Sequence, residues 1–370
     1  MSDLADLVYI SQEAGSRVDY VQAGGGNTSV KFDDGFMAIK ASGYLLKDMT
    51  ESYGFVAVDG ELLKRYFEQT QFEQANRLAQ NEAEQGAVKR GRLEQAKSEQ
   101  NKPEQIDRNK ESMDMAIASV KSINGEAFAR PSVEIGFHSI LQKFVLHLHP
   151  VYAAVLLCSS GGMEKIAGIL EAEGIGCAAV PYIMPGYMLT TTIRDAAAEY
   201  EKRTGETSKV IVMKNHGVTT TTQTADEALS LMRKVNDAVI KALSLPPFQS
   251  EYALSECKDG YECLSFPEPL RNCEIATACG RGALYPDQLV YIFGEIGLRE
   301  EENKKITIGE RILYRSGAAE AAAMHETLLG VAYVHACIAE KGLRPELLSA
   351  EECAQILGWD SEKYRRSLMK

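Results

Sequence analysis

Twenty residues, Pro131 to Pro150, constrain this chain more than any other stretch. They read PSVEIGFHSILQKFVLHLHP and hold a glutamate and three of the chain's six histidines. The closing part, Phe144–Val145–Leu146–His147–Leu148–His149, alternates as a strand does. Side chains two apart on a strand share a face, so His147 and His149 project together. Two imidazoles side by side make a natural pair of metal ligands. The same pair also occurs on a solvated strand edge, and the rest of the chain has to decide between them.

A third histidine has a similar setting. Lys209 to Met213 (KVIVM) is a short apolar, β-branched run that predicts a buried strand. Lys214–Asn215–His216–Gly217 follows at its end, where a histidine and a glycine suit a site residue on a tight turn. Three histidines with an open fourth position describe a catalytic zinc site rather than a closed structural one. Glu134, thirteen residues before His147, is the carboxylate that can bind the metal, act as general base, or do both at different stages.

Taken together, Ser132–Val133–Glu134, the His147–Leu148–His149–Pro150 strand end and the Asn215–His216–Gly217 turn resemble the class II sugar aldolases. That family, typified by fuculose-phosphate aldolase, also includes the adducin head domain. The resemblance covers roughly residues 5 to 240. It implies an α/β fold: a three-layer αβα domain with a central mixed, largely antiparallel β-sheet, here followed by an α+β C-terminal extension. It implies Zn2+, or another divalent transition metal, on His147, His149 and His216. Glu134 would be the proton shuttle, and Tyr182 the group that protonates or orients the departing aldehyde oxygen. As residues, the two could equally be a ligand and a wall tyrosine. The family's phosphate cradle maps onto Gly26 and Asn27, onto Ser42 and Gly43, and onto Ser132. Where the family often has two serines before the glutamate, this chain has Ser132 and Val133, so one hydroxyl is lost and an unphosphorylated sugar acid becomes a candidate substrate.

The implied function is a zinc-dependent lyase that cleaves a ketose phosphate or related sugar into a dihydroxyacetone-phosphate-like fragment and an aldehyde. Negative charge builds up as an enediolate when the bond breaks, and a divalent cation stabilises it. A sugar-phosphate epimerase or dehydratase on the same metal site is the alternative, and a non-catalytic adducin-like interaction module is another. The complete set of histidines with Glu134 argues against a pure binding module. The family also implies a homo-oligomer, a tetramer by analogy.

Charge and composition limit the partners. A net charge of −12 leaves no basic field for a nucleic acid. The start, MSDLADLVYI, is acidic and reads neither as a signal peptide nor as a membrane span. Eight cysteines then read as reduced thiols in a cytoplasmic protein. Cys257, Cys263, Cys273 and Cys279 form two C-x5-C pairs, too wide for a zinc ribbon.

In chain order, Leu4 to Val18 predicts an amphipathic helix. Gly24–Gly25–Gly26–Asn27–Thr28–Ser29 is a glycine loop that suits either an anion or a plain turn, and it leads into a hairpin closed at Asp34–Gly35. Residues 62 to 121 are polar, rich in Gln and Glu, and read as a helical insertion. Val151 to Cys158 is a buried strand or a helix start. Ser159 to Gly162 carries N-cap potential. Thr224–Ala225–Asp226–Glu227 resembles a capping box opening a long helix. Alternating strands and helices indicate a sheet covered on both faces. The character changes at Leu245–Pro246–Pro247, giving a metal domain over 1–245 and an extension over 246–370. In the extension, Tyr285–Pro286–Asp287–Gln288 predicts the start of a strand. His325 and His335, ten apart on an alanine-rich helix, are too distant to share a metal. His138, four residues after Glu134, reads as a core or supporting residue. The segment RGALYPDQLVYIF and the tail resemble the aldolase portion of bacterial bifunctional aldolase/short-chain dehydrogenase proteins.

Overall fold

The computed structural model describes residues 2–69, 108–121, 129–298 and 304–358. Helix α1 (Asp3–Gly15) leads into the hairpin β1 (Asn27–Lys31) and β2 (Phe36–Lys40), followed by β3 (Phe55–Asp59). Of the polar insertion, residues 60–69 (α2) and 108–118 (α3) are helical, and β4 (Val120–Lys121) closes it as a short strand. Residues 70–107 lie outside the described residues. Then come α4 (Ile135–Ile140), β5 (Phe144–Leu148), α5 (Val151–Leu157), α6 (Gly162–Ala172), β6 (Ala178–Val180), α7 (Tyr187–Thr204), β7 (Val210–Met213), β8 (Gly217–Thr222) and α8 (Ala225–Leu243).

The strands form one sheet in the order β4-β3-β2-β1-β5-β8-β7-β6. Neighbours run antiparallel except β6 and β7, so the sheet is mixed and largely antiparallel, as expected. Strand periodicity sorts the side chains by face. Phe144, Leu146 and Leu148 of β5 join Val210 and Val212 in the core under α5 and α8. Val145 joins Ile211 and Met213 in the core under α4 and α7. With apolar groups on both faces, each face takes a helical layer.

The extension is α+β. Strands β9 (Ser255–Cys257), β10 (Gly260–Cys263), β11 (Ile296–Leu298), β12 (Ile306–Ile308) and β13 (Ile312–Tyr314) form a second sheet, with helices α9 (Glu268–Arg271), α10 (Cys273–Arg281), α11 (Pro286–Tyr291), α12 (Ala318–Glu340) and α13 (Ala350–Leu357). It shares the main hydrophobic core: Leu328 and Val331 of α12 bury beside Val155 and Leu156 of α5. By length and composition α12 is apolar enough to cross a membrane, yet 83% of its apolar window is buried inside the protein.

Local readings differ from the structure in three places. Tyr285–Pro286–Asp287–Gln288 opens a helix, not a strand, because Pro286 fits the first helical turn and Gln288 folds back to accept from Leu284 N. Thr224 caps α8 without a side-chain bond, and the Glu227 side chain pairs with Lys209. Gly161, in the left-handed region, caps α6 in place of a serine. A true capping box does form at Ser349 and Glu352.

His325 and His335 sit separately in α12, and the His325 Nδ1 meets the Tyr314 hydroxyl at 2.6 Å. Burial lowers the pKa of both to about 4. The unfolded chain, titrating near 6.5, therefore binds more protons than the folded one between those values. Stability is complete above about pH 6.5 and falls as pH drops toward 4, by up to about 3 kcal/mol per histidine. Melting temperatures of metal-free protein should fall over that range, and His325→Gln should flatten the slope. An unchanged slope in His325→Gln and in His335→Gln would exclude these residues as the cause.

Candidate metal centre

The site is built where β5 ends. His147 shares the face of Val145, inside the sheet, and is fully buried. Thr219 lies opposite it on β8, and its Oγ1 is 3.0 Å from His147 Nδ1. His149 follows one residue past the strand, its backbone N–H donating to Tyr20 O. Its Nδ1 is 2.5 Å from Asp287 Oδ2 of α11. His216 sits in the β7–β8 turn. Asn215 occupies the left-handed region there (φ 50°), a conformation asparagine tolerates better than most residues. Its amide donates to Leu284 O at 2.8 Å and to Glu346 O at 2.6 Å, both in the extension. A Cβ at Gly217 would lie 2.3 Å from Leu148 O, so only glycine lets β8 enter so close to β5.

The three imidazoles converge. His147 Nε2 and His149 Nε2 are 3.0 Å apart, and one ligand nitrogen from each of His147, His149 and His216 lies within 4.8 Å of the others. Glu134, at the N-terminal end of α4, joins them: its Oε1 is 3.0 Å from His216 Nε2 and 3.6 Å from His147 Nε2. Asn27 Nδ2 donates to Glu134 Oε2. That contact exists because β1 pairs with β5 so that Asn27 stands opposite His147. Burial alone would raise the Glu134 pKa, but His147, His216 and His149 outweigh it and hold the carboxyl well below its usual range. Burial drives the His147 pKa well down, with Glu134 only partly opposing it.

These residues fit a metal ion. Two Nε2 atoms facing each other at 3.0 Å need either a proton or a cation between them. A neutral His147 can supply that proton as its Nε2–H, and a bound divalent cation can take its place. Three neutral imidazoles and a carboxylate are a donor set that suits zinc and related divalent transition metals.

Residues 101–240 match the family described as the Class II Aldolase and Adducin N-terminal domain. A search of curated proteins finds no match. Similar solved structures include the N-terminal class II aldolase domain of a conserved protein from Thermoplasma acidophilum, at 23% identity and TM-score 0.45, covering 65% of this chain and 94% of that one. The L-fuculose-1-phosphate aldolase from Thermus thermophilus is similar at 14% identity and TM-score 0.35, covering 65% and 92%. A sugar-phosphate aldolase from Thermotoga maritima is similar at 14% identity and TM-score 0.38, covering 65% and 97%.

Of the other residues expected from the class II aldolase resemblance, Asn27 and Ser132 both touch Glu134, the latter by accepting its backbone N–H at 3.2 Å. Ser42 and Gly43 lie beside them, since Ala41 bridges to Pro131 and Ser42 N donates to Arg130 O. Gly26 adopts φ 66°, and a Cβ there would be 2.8 Å from His147 O. The loop before it is occupied from within: Ala23 N donates to Glu326 Oε2 at 2.8 Å, Gly24 N to the Tyr291 hydroxyl at 3.2 Å, and Gly25 N to Gln22 O at 3.1 Å. Ala23 and Gly24 therefore seat the extension. Tyr182 lies against the extension. It packs against Ala283, Leu289 and Ile356, and burial beside Glu352 and Cys353 raises its pKa. His138 is a supporting residue, its Nδ1 2.7 Å from Ser29 Oγ. Among the described residues the histidine trio is the one metal-capable cluster, and no cysteine takes part. Asp287 and Thr219 went unread in the sequence, because nothing near them in the chain signals a histidine partner.

Proposed function

We propose that this protein is a metal-dependent lyase of the class II aldolase type, cleaving a carbon–carbon bond in a ketose phosphate or related sugar. One observation carries the reading: Glu134 Oε1 reaches into the space where the three imidazoles converge. His147, His149 and His216 would hold a divalent transition metal, zinc first among candidates. That ion, when bound, supplies Lewis-acid stabilisation of the charge that builds up on a substrate oxygen.

The chain's own groups do the rest. Glu134 takes and returns the proton at the carbon next to the carbonyl. Asn27 holds its other oxygen and fixes the direction of Oε1. Ser42, Gly43, Ser132, Gly26 and Asn27 line the approach and would bind the substrate's anionic or hydroxylated end. The occupied amides of Ala23, Gly24 and Gly25 and the valine at 133 leave a reduced cradle, which supports a sugar acid as well as a sugar phosphate.

An epimerase or dehydratase on the same centre is the alternative; Tyr182, the acid implied by the resemblance, has its hydroxyl buried beside residues of the extension. A panel of ketose phosphates and sugar acids, followed by carbon-13 NMR with metal-loaded and metal-stripped protein, separates these outcomes. Two fragments indicate a lyase, a new epimer an epimerase, and loss of water a dehydratase. No change in any substrate would overturn the enzymatic reading. The homo-oligomer implied by the resemblance is checked by light scattering.

A further inference from the structure

We propose that Asp287, a residue of the C-terminal extension, is the positioning partner of His149, accepting its Nδ1–H and so presenting Nε2 to the metal. The inference rests on the metal reading above. It lies outside it, because Asp287 falls beyond the segment matched to the family.

The geometry is specific. Asp287 Oδ2 lies 2.5 Å from His149 Nδ1, and both side chains are buried. A neutral imidazole carries its proton on either nitrogen, and only the unprotonated nitrogen can bind a metal. A carboxylate accepts and never donates, so Asp287 selects the Nδ1–H tautomer and leaves the Nε2 lone pair toward His147. The partner of His147, the Thr219 hydroxyl, can donate or accept and fixes no tautomer. The seat for Asp287 is also built by the opposite wall. A Cβ at Gly25 would stand 2.5 Å from Asp287 Oδ2 and 3.2 Å from His149 Nδ1, so glycine is required for the carboxylate to approach. The α11 helix that carries Asp287 is fixed in turn by the Tyr291 hydroxyl on Gly24 N. The extension thereby becomes part of the metal centre.

A purely structural role, a buried polar contact holding the extension, makes different demands, and the test separates the two. Zinc affinity is measured on full-length protein by competition with a chromophoric chelator, and the tautomer of His149 by long-range proton–nitrogen NMR on metal-free protein. Asp287→Ala should weaken zinc about 10- to 100-fold and turn His149 into a mixture of tautomers. Asp287→Asn, whose amide oxygen still accepts from Nδ1–H, should keep the tautomer and recover part of the affinity. If Asp287→Ala does not fold, Asp287→Asn decides alone, and a zinc affinity equal to wild type overturns the proposal. Wild-type affinity or an unchanged tautomer in Asp287→Ala overturns it too. If wild-type protein takes up no zinc, the metal reading fails by itself, and the tautomer on metal-free protein still decides what Asp287 does.

Discussion

Replacing His147 and His149 together with alanine should reduce bound metal from about one ion per chain to a small fraction of that. The two supply the Nε2 pair at 3.0 Å, and His216 with Glu134 is too small a donor set to retain a zinc ion against buffer and chelator. Elemental analysis of wild type and variant, purified side by side without chelator, gives the answer. Equal metal in both would end the metal reading. A second readout follows from linkage. An ion that binds only the folded state stabilises it by RT ln(1 + [L]/Kd), about 4 kcal/mol at a thousandfold excess over Kd. Chelator should therefore lower the wild-type melting temperature and leave that of the double variant where it was. Binding should also weaken as pH falls, because each ligand must be an unprotonated imidazole.

The centre was legible in the sequence to the extent that its geometry is local. A period of two puts His147 and His149 on one face whatever the sheet order, and a glycine after a buried run marks the turn at His216. The hairpin at Asp34–Gly35 was readable for the same reason. What failed depends on which elements meet. Asn27 reaches Glu134 only because β1 lies against β5, and Thr219 reaches His147 only because β8 lies on the other side. No residue pattern announces either pairing. Asp287 is further removed: it stands 138 positions from His149 in a segment whose apolar run LVYIF reads as strand. The proline at 286 was the stronger signal there, since it suits a first helical turn. The capping box expected at Thr224 and Glu227 does not form, and the Glu227 side chain pairs with a tertiary partner, Lys209. Tyr182 packs against residues of the extension, a neighbourhood that the local motif does not announce.

Glu134→Gln should retain fold and metal yet lose most turnover, by about 10² to 10⁴ if Glu134 is the proton shuttle. The swap is close to isosteric, so α4 and its packing should stand. Gln can still face Asn27 and His216 but cannot take a proton. The reading competes with two others at the same residue. Oε1 lies 3.0 Å from His216 Nε2, close enough to the imidazole cluster for Glu134 to be mainly a ligand. In that case the variant should lose metal, and excess zinc should restore part of the activity. If instead the carboxylate chiefly offsets its buried neighbours, the melting temperature should fall while turnover per folded molecule stays near wild type. The three roles thus give three patterns across turnover, metal content and melting temperature. Until a substrate is found, exchange of an α-proton of dihydroxyacetone phosphate in heavy water serves as the assay, since it isolates the proton step from bond cleavage. The shuttle role predicts slow exchange at full metal occupancy, because the ion alone can acidify the carbon but the site holds no second base so placed among the residues that meet at Glu134. Wild-type exchange in a metal-loaded Gln variant would refute it.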